Sequence, residues 1–85
     1  MSQGFPALPN IEFLIDGNGE ITIGGIGSIP CIATAVDDDI NFAMLVRRDS
    51  ETLEQLLKRL DRAIEMAVED ETFIDEVNYG PDDRL

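Results

Sequence analysis

The chain has 85 residues, 18 acidic and 6 basic side chains, one cysteine and no histidine, for a formal net charge of −12. That length holds one small domain, which on folding buries only about 63% of its unfolded surface, and a lone cysteine excludes an internal disulfide scaffold. A pI near 4.1 argues against direct contact with nucleic-acid phosphates and against anionic membrane surfaces.

Residues 1–10 read as an extended arm, because Pro6 and Pro9 oppose both a helix and an internal strand. No basic stretch leads into a long apolar run here, so no secretory signal is expected, and the single thiol fits a reduced, cytoplasmic setting. From residue 11 the apolar period is two: Ile11, Phe13 and Ile15, then Ile21 and Ile23 beyond Asp16-Gly17-Asn18-Gly19. Glycine and asparagine tolerate positive φ, so this stretch predicts a β-hairpin of strands 11–16 and 20–26. Gly24, Gly25 and Gly27 predict a bulge or bend at the end of the second strand.

Pro30 opens a strand over 31–36, and Asp37-Asp38-Asp39 makes a polar turn into a strand over 40–47. Its residues Ile40, Phe42, Met44 and Val46 fall on one face, with Asn41, Ala43 and Leu45 on the other. Short connections favour an antiparallel meander, since parallel neighbours need a long crossover.

From Ser50 the period becomes 3.6: Leu53, Leu56, Leu57, Leu60, Ala63, Ile64, Ala67 and Val68 form one stripe. This predicts a helix over 50–69, capped by Asp49 or Ser50, with Glu54 and Lys58 in the favourable i, i+4 order. Residues 72–78 predict a short helix or strand, ended by Gly80-Pro81, and 79–85 a flexible acidic tail. The fold class is therefore α+β: an antiparallel meander packed on one amphipathic helix, in a single domain. Residues on both faces of the third and fourth strands are apolar, Ile32, Val36, Phe42 and Met44 against Cys31, Ala33, Ala35 and Leu45. One helix covers one face, so a second subunit is expected, as a homodimer.

The chemistry-bearing candidates are weak. Asp16 to Ile21 resembles the middle of a calcium-binding EF-hand loop, but Leu14 and Gly25 then stand at ligand positions, and a turn explains the stretch. Asp37, Asp38 and Asp39 are adjacent on an extended chain and point to alternate sides, which suits a solvated turn better than a metal site. Cys31 has no histidine anywhere to activate it. Gly24 to Ser28 lacks the lysine of a phosphate-binding loop. No catalytic set, metal site or cofactor site is predicted, and the protein is read as not an enzyme.

Charge layout is more informative. Residues 1–46 carry −6 with no base, residues 47–62 carry +1 with five bases, and residues 63–85 carry −7. Candidate partner-binding residues are Asp37, Asp38, Asp39, Glu65, Glu69 and Asp70, with Met66 beside the basic Arg59 and Arg62 on the polar side of the helix. The leading reading is a small acidic, non-enzymatic protein-binding protein (an inhibitor, an antitoxin-like protein or a phage accessory regulator) that occupies a basic protein surface. The alternative is a nucleic-acid mimic that blocks a DNA- or RNA-binding enzyme, in the manner of anti-restriction or anti-CRISPR proteins. A third is a small structural subunit or a metal-dependent enzyme. The Asp49 to Glu54 opening and its helix resemble those of many small α+β proteins, some antitoxins among them.

Overall fold

The computed structural model describes residues 7–78. The elements are α1 (Pro9–Asp16), β1 (Glu20–Ile26), β2 (Ile29–Asp37), β3 (Ile40–Val46), α2 (Leu53–Asp70) and β4 (Ile74–Asp75). The strands form one sheet in the order β1-β2-β3-β4, antiparallel except for the parallel β3–β4 pair. The α+β class, the meander and the long helix are as expected. The strand expected at 11–16 is not.

That segment is helix α1. Pro9 stands in its first turn, where a missing N–H is not needed. Leu8, Ile11 and Leu14 are buried, a helical spacing, while Phe13 and Ile15 are exposed. The local sequence supplies no side-chain cap. Instead Asp61, on α2, accepts from the backbone N–H of Asn10 (2.8 Å) and Ile11 (2.9 Å), and from the Asn10 side-chain amide (3.0 Å). The expected extended arm is thus corrected at Pro9 and Asn10, which are helical, and residues 1–6 lie outside the described residues. The Asp16–Gly19 stretch ends α1 rather than turning a hairpin. Asn18 takes φ 75°, and Gly19 N–H donates to the Leu14 carbonyl at 2.8 Å. A β-carbon at Gly19 would stand 2.5 Å from Leu14 Cγ, so the close approach requires glycine.

The first hairpin is β1–β2, turning at Gly27-Ser28, with Gly27 at φ 59°. The register shifts between Gly24 and Ile26, where the expected irregularity falls, but the extra residue is on β2: Gly25 alone faces Pro30 and Cys31. Pro30 is the second residue of β2 and faces this irregular stretch, so its absent donor leaves no regular rung broken. The second hairpin turns at Asp38-Asp39 between the paired Asp37 and Ile40.

A second register shift, between Ala35 and Val36, leaves Phe42 as an extra residue on β3. Phe42 therefore packs with Ala43 and Leu45 against the helix-side core. It does not share a face with Met44 and Val46, as strict alternation predicts, because a bulge resets the alternation.

Helix α2 begins later than expected, at Leu53, and Thr52 caps it rather than Asp49 or Ser50. Gln55 N–H donates to Thr52 Oγ1 (3.1 Å) and Thr52 N–H to Gln55 Oε1 (2.9 Å), a reciprocal capping box. Its buried Leu56, Leu60, Ala63 and Ile64 meet Ala33, Ala35, Ala43 and Leu45 of the sheet and Leu8, Ile11 and Leu14 of the α1 region, and Ala67 is buried on the same stripe. The small sheet residues let the helix approach closely, and each large side chain buried contributes about 1.5–3 kcal/mol.

Glu71, at φ 57°, ends the helix. α2 also serves as the crossover that a parallel β3–β4 pair requires. β4 is two residues long, followed by a turn in which Asp75 accepts from the Val77 and Asn78 backbone. The expected tail, 79–85, lies outside the described residues. Of the sheet residues set against Cys31, Ala33, Ala35 and Leu45 in the sequence, Ile32 is buried and Val36, Phe42 and Met44 are half-buried, Phe42 on the helix side. No helix among the described residues is long and apolar enough to cross a membrane.

Candidate functional site

The charged residues divide between the two ends of the sheet. At one end β3 leaves the sheet, α2 starts and the β4 turn arrives, and there Arg59 and Arg48 are paired with Glu51 and Glu76. Arg59, in the second turn of α2, donates from Nε to Glu51 Oε2 (2.8 Å), from Nη2 to Glu51 Oε1 (3.0 Å) and the Val46 carbonyl (2.9 Å), and from Nη1 to Glu76 Oε2 (2.9 Å). Glu76 Oε1 in turn accepts from the Val46 N–H at 3.0 Å. The side chains of Glu51, Glu76 and Arg59 are 8%, 11% and 22% exposed, so this clasp is largely out of water.

Arg48 stands 3.8 Å from Glu76, and its N–H donates to Glu51 Oε1 at 3.0 Å. The bonds from Arg59 hold Glu51 at a pKa of about 2, against the opposing effect of burial, and Glu51 in turn raises Arg59 above its ordinary value. The clasp fastens three chain segments around a two-residue strand that is too short to hold itself. A depression of about 330 Å³ beside it is lined by Val46, Arg47, Arg48, Asp49 and Glu76.

The opposite end is formed by the β2–β3 turn and the end of α2. The Phe42 and Phe73 rings stack there, 6.4 Å apart and 9° from parallel, which fixes the end of α2 beside the start of β3. Phe73 is 51% exposed, as is Ile40, whose pairing with Asp37 puts it on the same side of the sheet. Around them lie Asp37, Asp38 and Asp39 of the turn and Glu69, Asp70 and Glu71 of the helix end. Among the described residues none of these six acids has an ion-pair partner; the cations bridge only to Glu51, Glu54, Glu65 and Glu76. The C-terminus of α2 adds its own negative dipole end.

Five of the nine expected partner-binding residues thus gather at one end: Asp37, Asp38, Asp39, Glu69 and Asp70. Met66 is half-buried, and its carbonyl accepts from the Thr72 N–H (3.1 Å) at the helix end. Arg62 and Glu65 pair on the exposed ridge of α2 at 3.8 Å. Arg59 does not join an exposed basic patch, because the clasp engages its guanidinium. The expectation missed the Arg59–Glu51–Glu76 set and the capping role of Asp61, whose partners are distant in sequence, and the exposure of Phe73. Cys31 is a half-buried free thiol beside the core. Among the described residues no three acidic or thiol groups are placed to hold a metal ion.

Compared with known proteins, the chain matches no family model, no curated protein and no solved structure.

Proposed function

We propose that this is a non-enzymatic protein-binding protein whose acidic end occupies a basic surface on another protein. The observation that carries the reading is the separation of duties between the two ends. Among the described residues six acids stand together without an ion-pair partner, while the sheltered cation, Arg59, serves the clasp. Leaving like charges clustered is unfavourable for the isolated fold, and a basic partner relieves that repulsion. The same field steers association and raises its rate. The sequence has no histidine to serve as a general base, and a reducing, cytoplasmic setting suits the free Cys31 thiol.

Affinity capture from the native host tests it, with the wild type beside the triple variant Asp38→Asn, Glu69→Gln, Asp70→Asn. A specific basic protein retained by the wild type at low salt and released by the variant supports the proposal. Equal retention by both contradicts it. Displacement of DNA or RNA from the captured partner would transfer the reading to nucleic-acid mimicry.

A second reading, self-association, is favoured by the outer edge of β1, which pairs with no other strand among the described residues. That strand carries no lysine and no proline to discourage pairing, and Ile23 is exposed on it. Sedimentation at increasing concentration decides: growth beyond the 9.4 kDa monomer supports a homodimer, and a constant monomer mass removes it.

A further inference from the structure

We infer that the stacked Phe42–Phe73 pair with Ile40 is the contact core of the acidic end, and that it takes a partner segment in which arginines alternate with apolar side chains. The inference rests on the acidic-end reading above and adds the chemistry of the occupant.

Phe73 stands two residues beyond the Glu71 helix cap, and half of its surface stays in water although its ring stacks on Phe42. Phe42 reaches that position only because the β3 bulge turns it to the helix side of the sheet. Two independent backbone features, a bulge and a left-handed helix cap at Glu71, therefore converge on presenting one aromatic surface. Ile40 extends it along β3, again half exposed.

The rim is acidic on both sides: the Asp37–Asp39 turn flanks Ile40, and Glu69–Glu71 precedes Phe73. An apolar centre with a charged rim is the layout of a protein contact site. The sign of the rim selects the occupant. A purely apolar partner gains nothing from six carboxylates, and an acidic one is repelled. Lysine satisfies the rim alone, whereas arginine pairs with carboxylates and also stacks its planar face on an aromatic ring. Apolar groups between the arginines would then cover Ile40 and the exposed part of Phe73.

The test is a titration of the isotope-labelled full chain, followed by amide NMR, with two blocked pentapeptides of equal charge. One alternates arginine with leucine, the other lysine with glycine. The expected result is tighter binding of the arginine–leucine peptide, with shifts centred on residues 37–42 and 69–75. Phe73→Ala should weaken that peptide about tenfold and leave the lysine–glycine peptide unchanged. If Phe73→Ala loses its dispersed spectrum, Ile40→Thr replaces it, with a loss of about threefold.

Equal binding of the two peptides, or no loss in the variant, overturns the aromatic core while leaving the acidic-end reading intact. Absence of binding by either peptide overturns both.

Discussion

The clasp end and the acidic end use the same side-chain chemistry to opposite effect. At the clasp, carboxylates of Glu51 and Glu76 are nearly out of water, and each is met by Arg59 at 2.8–3.0 Å. At the acidic end, five exposed carboxylates and the half-buried Asp37 have no ion-pair partner among the described residues. The first arrangement holds the fold and leaves little charge to offer a partner. The second does nothing for the fold and projects its field outward. Net charge is therefore a poor description of this molecule: the −12 of the sequence separates into neutralised structure and unneutralised surface.

The largest expected effect comes from breaking the clasp. Arg59→Met strands Glu51 and Glu76 without a cation, and urea unfolding should show a loss of about 3 kcal/mol. The acid limb sharpens the same point. Glu51 titrates at about 2 in the folded state, below the ordinary 4.5. A depressed folded-state value contributes stability that is present above about pH 4.5 and lost as pH falls toward 2, on the order of 2–3 kcal/mol. The stability gap between the wild type and Arg59→Met should accordingly narrow as pH falls from about 4.5 toward 2. Denaturation series at several pH values check it.

Next in size is Asp61→Ala, which uncaps α1 and should lower stability by about 2 kcal/mol while loosening amide protection at Asn10 and Ile11 in hydrogen exchange. Thr52→Ala removes half of the α2 capping box and should cost about 1 kcal/mol. Smallest is neutralisation of the acidic end, where Asp38→Asn, Glu69→Gln and Asp70→Asn together should change stability by no more than about 0.5 kcal/mol downward, or raise it by relieving repulsion.

What was legible in the sequence follows from how local the determinants are. Helix α2 carries its stripe over four turns and could be read directly, and so could the Asp37–Asp39 turn and the irregular pairing at the glycines of β1. The Thr52/Gln55 box also carries its signal in its spacing, although acidic and hydroxyl residues just before it compete for the cap. Helix α1 was hidden because Ile11, Phe13, Leu14 and Ile15 satisfy both a period of two and a helical spacing. The residue that settles the choice, Asp61, lies fifty positions away.

The clasp was hidden for the same reason. Arg59 reaches Glu51 eight residues before it and Glu76 seventeen after, neither an i, i+3 nor an i, i+4 pair, and both acids sit among many others. The acidic end was legible as composition but not as a place. The Phe42–Phe73 stack and the parallel β3–β4 pair show that two acidic stretches separated by thirty residues share one end of the molecule.

The most direct test of the division between the ends is the urea midpoint of the triple variant Asp38→Asn, Glu69→Gln, Asp70→Asn, measured beside the wild type at low ionic strength. If these acids serve only the outward field, the variant unfolds at the same urea concentration or a higher one. A loss of more than about 1 kcal/mol would contradict the division, because it would mean that the acidic end carries structure after all.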